Sequence, residues 1–158
     1  MKALNQAKWA AVIEECVLHL ERIKHALSRL KGYLPLSIES AERLSDDDIA
    51  FLDQLIYRYL KLQDAMGEKL FPLTLVLLEE NMEGKPFIDM LNRLERLELI
   101  PSREMWTLWR ELRNDLTHEY PDNNAERIEA INQLSSVVDK MSAVFQGMKD
   151  YIEKRDVL

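Results

Sequence analysis

Residues 131–152 read INQLSSVVDKMSAVFQGMKDYI, and Ile131, Leu134, Val138, Met141, Phe145, Met148 and Ile152 recur through them at alternating steps of three and four. That period places all seven on one face of an α-helix, so the stretch predicts a long helix with a single buried stripe. The same steps govern the start of the chain. Trp9, Ile13, Cys16, Leu20, Ile23, Leu27 and Leu30 form a second stripe that ends near Gly32. A third stripe runs through Ile49, Leu52, Ile56, Tyr59, Met66 and Leu70. It opens at Ser45, a cap residue followed by Asp46, Asp47 and Asp48, whose charges suit the positive end of a helix.

Between these stripes the punctuation is sparse. Residues 33–44 read as a connection with at most a short turn, interrupted by Pro35. Pro72 clashes with the carbonyl of Glu68, which predicts a kink near residues 67–71, with the helix resuming to about Asn81. Gly84-Lys85-Pro86 breaks it. A short helix from Phe87 to about Leu97 follows. Ser102 caps the next, which carries Met105, Trp106, Trp109, Leu112 and Leu116 and is expected to run until Pro121 stops it. Asn123 or Asn124 caps the last helix. Helices of roughly 30 residues are ~45 Å long. The expectation is an all-α fold: one domain over residues 1–158, built as an up-down bundle of four to five helices.

Composition agrees. The chain has 158 residues, 47% of them hydrophobic, enough for one well-buried core, and its 4 Gly and 5 Pro argue against a loop-rich fold. A single cysteine, Cys16, rules out an internal disulfide and suits a reducing, cytoplasmic location; its place on a stripe makes it a core residue. Glu14 and Glu15 break the first apolar stretch, which excludes a secretory signal. The longest apolar run, residues 70–78, is too short for a bilayer, so no membrane partner is expected. The formal net charge of −7 weighs against non-specific nucleic-acid binding, DNA included, and any RNA contact must come from a local cluster. Arg93, Arg96, Arg103, Arg110 and Arg113 are candidates, although Glu95, Glu98, Glu104 and Glu111 interleave with them as on an ordinary solvated helix face. Arg22, Lys24, His25, Arg29 and Lys31 form a second group at the end of the first helix, where the dipole favours cations in any case.

Most site chemistries are absent. No Gly-rich phosphate loop occurs, and His19 and His25 fall on different helix faces, so neither a nucleotide cofactor nor a metal is expected. What remains is Arg113-Asn114-Asp115-Leu116-Thr117-His118-Glu119-Tyr120. Arginine offers a planar cationic fork that fits phosphate oxygens, histidine moves protons near neutral pH, and the tyrosine hydroxyl can bond phosphate or accept a modification. A histidine before a proline-bearing turn also simply suits the negative end of a helix. At ~100° per residue Arg113 and His118 lie about 140° apart on an ideal helix, whereas Asn114 shares a face with His118 and Tyr120 nearly shares one with Arg113. Arg113 and His118 can therefore converge either by distortion of the helix end or across the two-fold axis of a homodimer.

Arg, four residues, His, one residue, Tyr, with Asn114 directly after the arginine, resembles the signature of the HEPN superfamily, specifically its HepT-like toxin branch. The match covers eight residues, and the helical periodicity extends the likeness over most of the chain. The resemblance implies a homodimer with a cleft between protomers and a metal-independent endoribonuclease. Arg113 and His118 would be catalytic, with Asn114 and Tyr120 supporting them. It also implies a partner, a small nucleotidyltransferase antitoxin that neutralises the toxin by adenylylating Tyr120. The alternative within the same resemblance is a non-catalytic partner or substrate-binding subunit of a nucleotidyltransferase.

Overall fold

Several helices begin where a side chain takes up unpaired amides of the first turn. The computed structural model describes residues 1–118 and 124–158. There the chain forms α1 (Lys2–Leu30), α2 (Ile38–Glu42), α3 (Asp46–Ala65), a π-helical turn (Met66–Leu70), α4 (Phe71–Leu77), α5 (Phe87–Arg96), α6 (Arg103–Leu116) and α7 (Ala125–Glu153), with no strand among the described residues. Ser45 accepts from the Asp48 amide while Asp48 accepts from that of Ser45, closing a reciprocal cap on α3. Ser102 caps α6 through the Met105 amide, and Asn124 rather than Asn123 caps α7, its Oδ1 accepting from Glu126 and Arg127. The connection after α1 holds more than a turn. Ser37 and Ser40 form a second reciprocal cap that starts the five-residue α2.

The expected kink is a π turn. Pro72 has no amide to offer Glu68, and the register opens by one residue just before it, so that the Phe71 amide reaches Met66 O. The rod α3–α4 thus stays continuous, and Gly67 is brought against the indole of Trp106. A Cβ there would stand 3.2 Å from Trp106 Cζ2. Trp106 packs between Phe71, at 4.5 Å between ring centroids, and Trp109, at 5.8 Å, which fixes α6 to the π turn. The Tyr59 hydroxyl donates to Trp109 O at 2.6 Å, a second tie between α3 and α6.

One helix end differs from expectation. α4 stops at Leu77 instead of reaching Asn81 because Glu79 turns left-handed with φ of 58°, and α5 ends at Arg96, about where expected, on the same turn at Glu98 with φ of 59°. The Glu80 amide then reaches Leu75 O and the Leu99 amide reaches Leu94 O, both at 2.9 Å. These are the closures a glycine usually provides.

The stripes meet in one core. α1 lies along α3, α6 packs on α3 and α7, and α7 also touches α1, α2 and α4. Cys16, Ile23, Tyr59, Met66, Leu134, Met141, Met148 and Ile152 are fully buried, so the aromatic and methionine positions on the stripes are core. Each such side chain contributes roughly 1.5–3 kcal/mol on burial. Burial pushes the Cys16 thiol up to about 12, so it is no nucleophile near neutral pH. Asn132 of α7 pins the α1–α2 connection, bonding both the amide and the carbonyl of Leu36. Among the described residues no helix is long and apolar enough to cross a membrane.

His19 is the buried titratable group of the α1/α3 seam. Its Nδ1 accepts from Arg58 at 3.1 Å, Glu15 lies 3.8 Å from Nε2, and Lys61 adds positive charge nearby. Desolvation first, then Arg58, lowers its pKa below the ordinary 6.5. Unfolding therefore takes up a proton below pH 6.5, and the stability contributed by neutral His19 is complete above that pH and falls as the pH drops toward the lowered folded value. In thermal melts, the wild type should lose more stability than His19→Gln between neutral and mildly acid pH. Parallel pH curves would contradict this.

Candidate functional site

α6 carries the motif and ends inside it. The helix stops at Leu116, four residues before Tyr120, rather than at Pro121. Thr117 is responsible. Its hydroxyl and its amide both donate to Asn114 O, at 2.6 and 3.1 Å, and the His118 amide follows to Asp115 O at 3.3 Å. A threonine hydroxyl that takes a backbone carbonyl competes with the next helical turn. His118 thus lies beyond the helix, and the 140° separation expected on an ideal helix does not describe it. Tyr120 lies outside the described residues, as does Glu119.

Arg113, in the last turn of α6, faces α3. Its Nε and Nη2 donate to the two carboxylate oxygens of Asp64 at 2.9 and 3.0 Å. The pair is partly buried, with side-chain exposures of 24% and 29%. Asp64 raises the pKa of Arg113 further above its usual range, with Glu68 and Tyr59 adding to the field. A bidentate pair uses two of the five guanidinium N–H groups, and Nη1 has no acceptor among the described residues. The cation is held in one orientation with donors left over.

His118 lies just past the end of α6. It lines a cleft of about 300 Å³ between the end of α6 and the start of α7, with Asp115, Glu126, Arg127 and Glu129 around it. Three carboxylates and one guanidinium make that cleft acidic. Within the chain the described motif residues are not brought together: Arg113 lines no part of this cleft, and Asn114 is exposed on the surface. Their backbones remain close along the chain, at one helix end.

The arginine cluster named from the sequence is largely neutralised. Arg93 forms a bidentate pair with Glu80 at 2.8 and 3.0 Å, Arg103 bonds Glu104 and Asn92, and Arg113 has Asp64. Sequence reasoning missed Asp64. It lies 49 residues from Arg113, and no local spacing links the two. The same helix exposes apolar surface: Leu108 is 60% exposed and shares a shallow groove with Met105, Trp109 and Val137. Among the described residues, no group of three or more His, Cys, Asp or Glu side chains converges to hold a metal.

Compared with family models, curated proteins and solved structures, the chain matches none.

Proposed function

We propose that the chain is a HEPN-type, HepT-like endoribonuclease that acts as a homodimer without a metal. The observation that carries this is Arg113, a half-buried guanidinium fixed by Asp64 with its Nη1 donors uncommitted among the described residues, five positions before an exposed histidine. The ribose 2′-hydroxyl attacks the adjacent phosphorus and gives its proton to His118. The P–O5′ bond breaks, and the leaving oxygen takes a proton. The products are a 2′,3′-cyclic phosphate and a 5′-hydroxyl. Arg113 holds the non-bridging oxygens as charge grows on them. Asn114 and Tyr120 position the phosphate or sugar.

Arg113 is engaged with Asp64 of α3 while His118 lines the cleft toward α7, so the complete site draws one group from each copy. The exposed Leu108 groove on the same helix supports α6 as the shared surface. Light scattering at micromolar concentration should give twice the mass of one 18.6 kDa chain. A monomer would sink the composite site. The cognate nucleotidyltransferase adenylylates Tyr120, adding negative charge and bulk that exclude RNA. Intact-mass analysis of the full chain with that partner and ATP should show one added adenylate, absent in Tyr120→Phe.

The carboxylates around His118 favour a second function, a non-catalytic subunit of a nucleotidyltransferase, because they repel phosphate. Expression without the partner separates the two. The ribonuclease arrests growth and the passive subunit does not.

A further inference from the structure

Arg22, Arg29, Arg58 and Lys61 differ from the arginines around the motif. Among the described residues none of the four has a carboxylate within ion-pairing distance, whereas Arg93, Arg103 and Arg113 all do. Arg29, Arg58 and Lys61 sit beside aromatic rings instead, and Arg22 is exposed on α1 between His19 and His25. The Arg29 guanidinium lies 5.1 Å from the centre of Phe51, and Arg58 and Lys61 lie 5.5 and 5.6 Å from that of Tyr57.

These contacts form one band. α1 and α3 run side by side, with Phe51 also meeting His25 of α1 at 5.7 Å and Arg58 donating to His19 of α1. From Phe51 to Lys61 the band follows α3 for ~15 Å at ~1.5 Å per residue. Tyr57 is 51% exposed. Two nearby acids are already engaged: Glu15 pairs with Lys69 at 2.8 Å, and Asp48 accepts from Ser45 and lies near Arg29.

In a chain of net charge −7, a band of unpaired cations alternating with aromatic rings fits one kind of partner. A single-stranded polyanion offers phosphates to the cations and flat, unpaired bases to the rings. A bilayer surface would call for a wide apolar face below the cations, and beside this band the exposed large apolar side chain is Leu18. We propose that the α1/α3 band binds single-stranded RNA and, given the ribonuclease activity proposed above, holds the substrate strand outside the cleavage site.

The test uses the full-length His118→Ala chain, so that the probe survives, and a fluorescent single-stranded oligoribonucleotide of about 12 nucleotides. Anisotropy titrations across a salt series give affinity and slope. Arg22→Glu with Lys61→Glu, two exposed positions, should weaken binding at least about tenfold and flatten the log–log salt slope by ~0.7 per lost contact. Tyr57→Ala should weaken it about five- to hundredfold at unchanged slope. Circular dichroism checks that both variants fold, and the two act through different chemistry. Wild-type affinity in both would overturn the proposal, as would a chain that ignores RNA yet binds phosphatidylserine vesicles. RNA binding that depends on the band, in a protein whose unmutated form never cleaves RNA, would uphold the band and refute the nuclease. Cleavage by the unmutated protein, with binding indifferent to the band, would do the reverse.

Discussion

His118→Ala should lower the proposed RNA cleavage by about 10²–10⁴-fold, the usual contribution of a positioned general acid or base, and growth arrest on expression should disappear with it. The expectation rests on where the residue stands. His118 is exposed, lies just beyond the cap of α6, and packs in no part of the core. Truncation at an exposed position beyond the helix costs little stability, so the melting temperature should stay near that of the wild type. A loss of cleavage with an unchanged melt places the effect in the chemistry. Full cleavage by His118→Ala would remove the histidine from the mechanism.

Arg113→Ala has the second large effect, and it divides differently. The guanidinium is the partner of Asp64 and the proposed phosphate-binding group, so the variant should lose about 10²–10³-fold in cleavage. It should also lose about 1–2 kcal/mol of stability, because Asp64 is left partly buried without its partner while solvent screening limits the loss. Arg113→Lys separates the two roles. Lysine keeps the charge beside Asp64 but cannot form the two-pronged pair and still offer a fixed outer edge. Its melt should recover most of the difference while cleavage stays low. Cleavage that tracked the melting temperature across Ala, Lys and wild type would make Arg113 a structural residue only.

The parts of this molecule that were legible in its sequence are those decided within a few residues. The stripe from Ile131 to Ile152 became α7 because a period of three and four leaves only one face to bury. Ser45, Ser102 and Asn124 could be read as caps because each bonds amides two or three residues ahead. Less legible were features settled by distant packing. Pro72 announced an irregularity, but its form as a π turn also depends on Trp106, which stands against Gly67 from some 39 residues away along the chain. The end of α4 was misjudged because a glutamate, Glu79, and not a glycine takes the left-handed position.

The motif shows the same division. Its residue types could be read directly, and so could the need for some device to unite Arg113 with His118. The partner of Arg113 could not, since Asp64 is one of many acids on α3 and only the packing of α6 against α3 selects it. Nor could the early end of α6, which turns on one hydroxyl, that of Thr117, taking a carbonyl that another helical turn would have used.

The most direct test of the central claim is cleavage of single-stranded RNA by the purified chain, free of any nucleotidyltransferase, in excess EDTA. The account predicts fragments that end in 2′,3′-cyclic phosphate, undiminished by the chelator and absent when His118→Ala replaces the wild type. Intact RNA after incubation with the unmodified wild-type protein, or cleavage that EDTA abolishes, would contradict it.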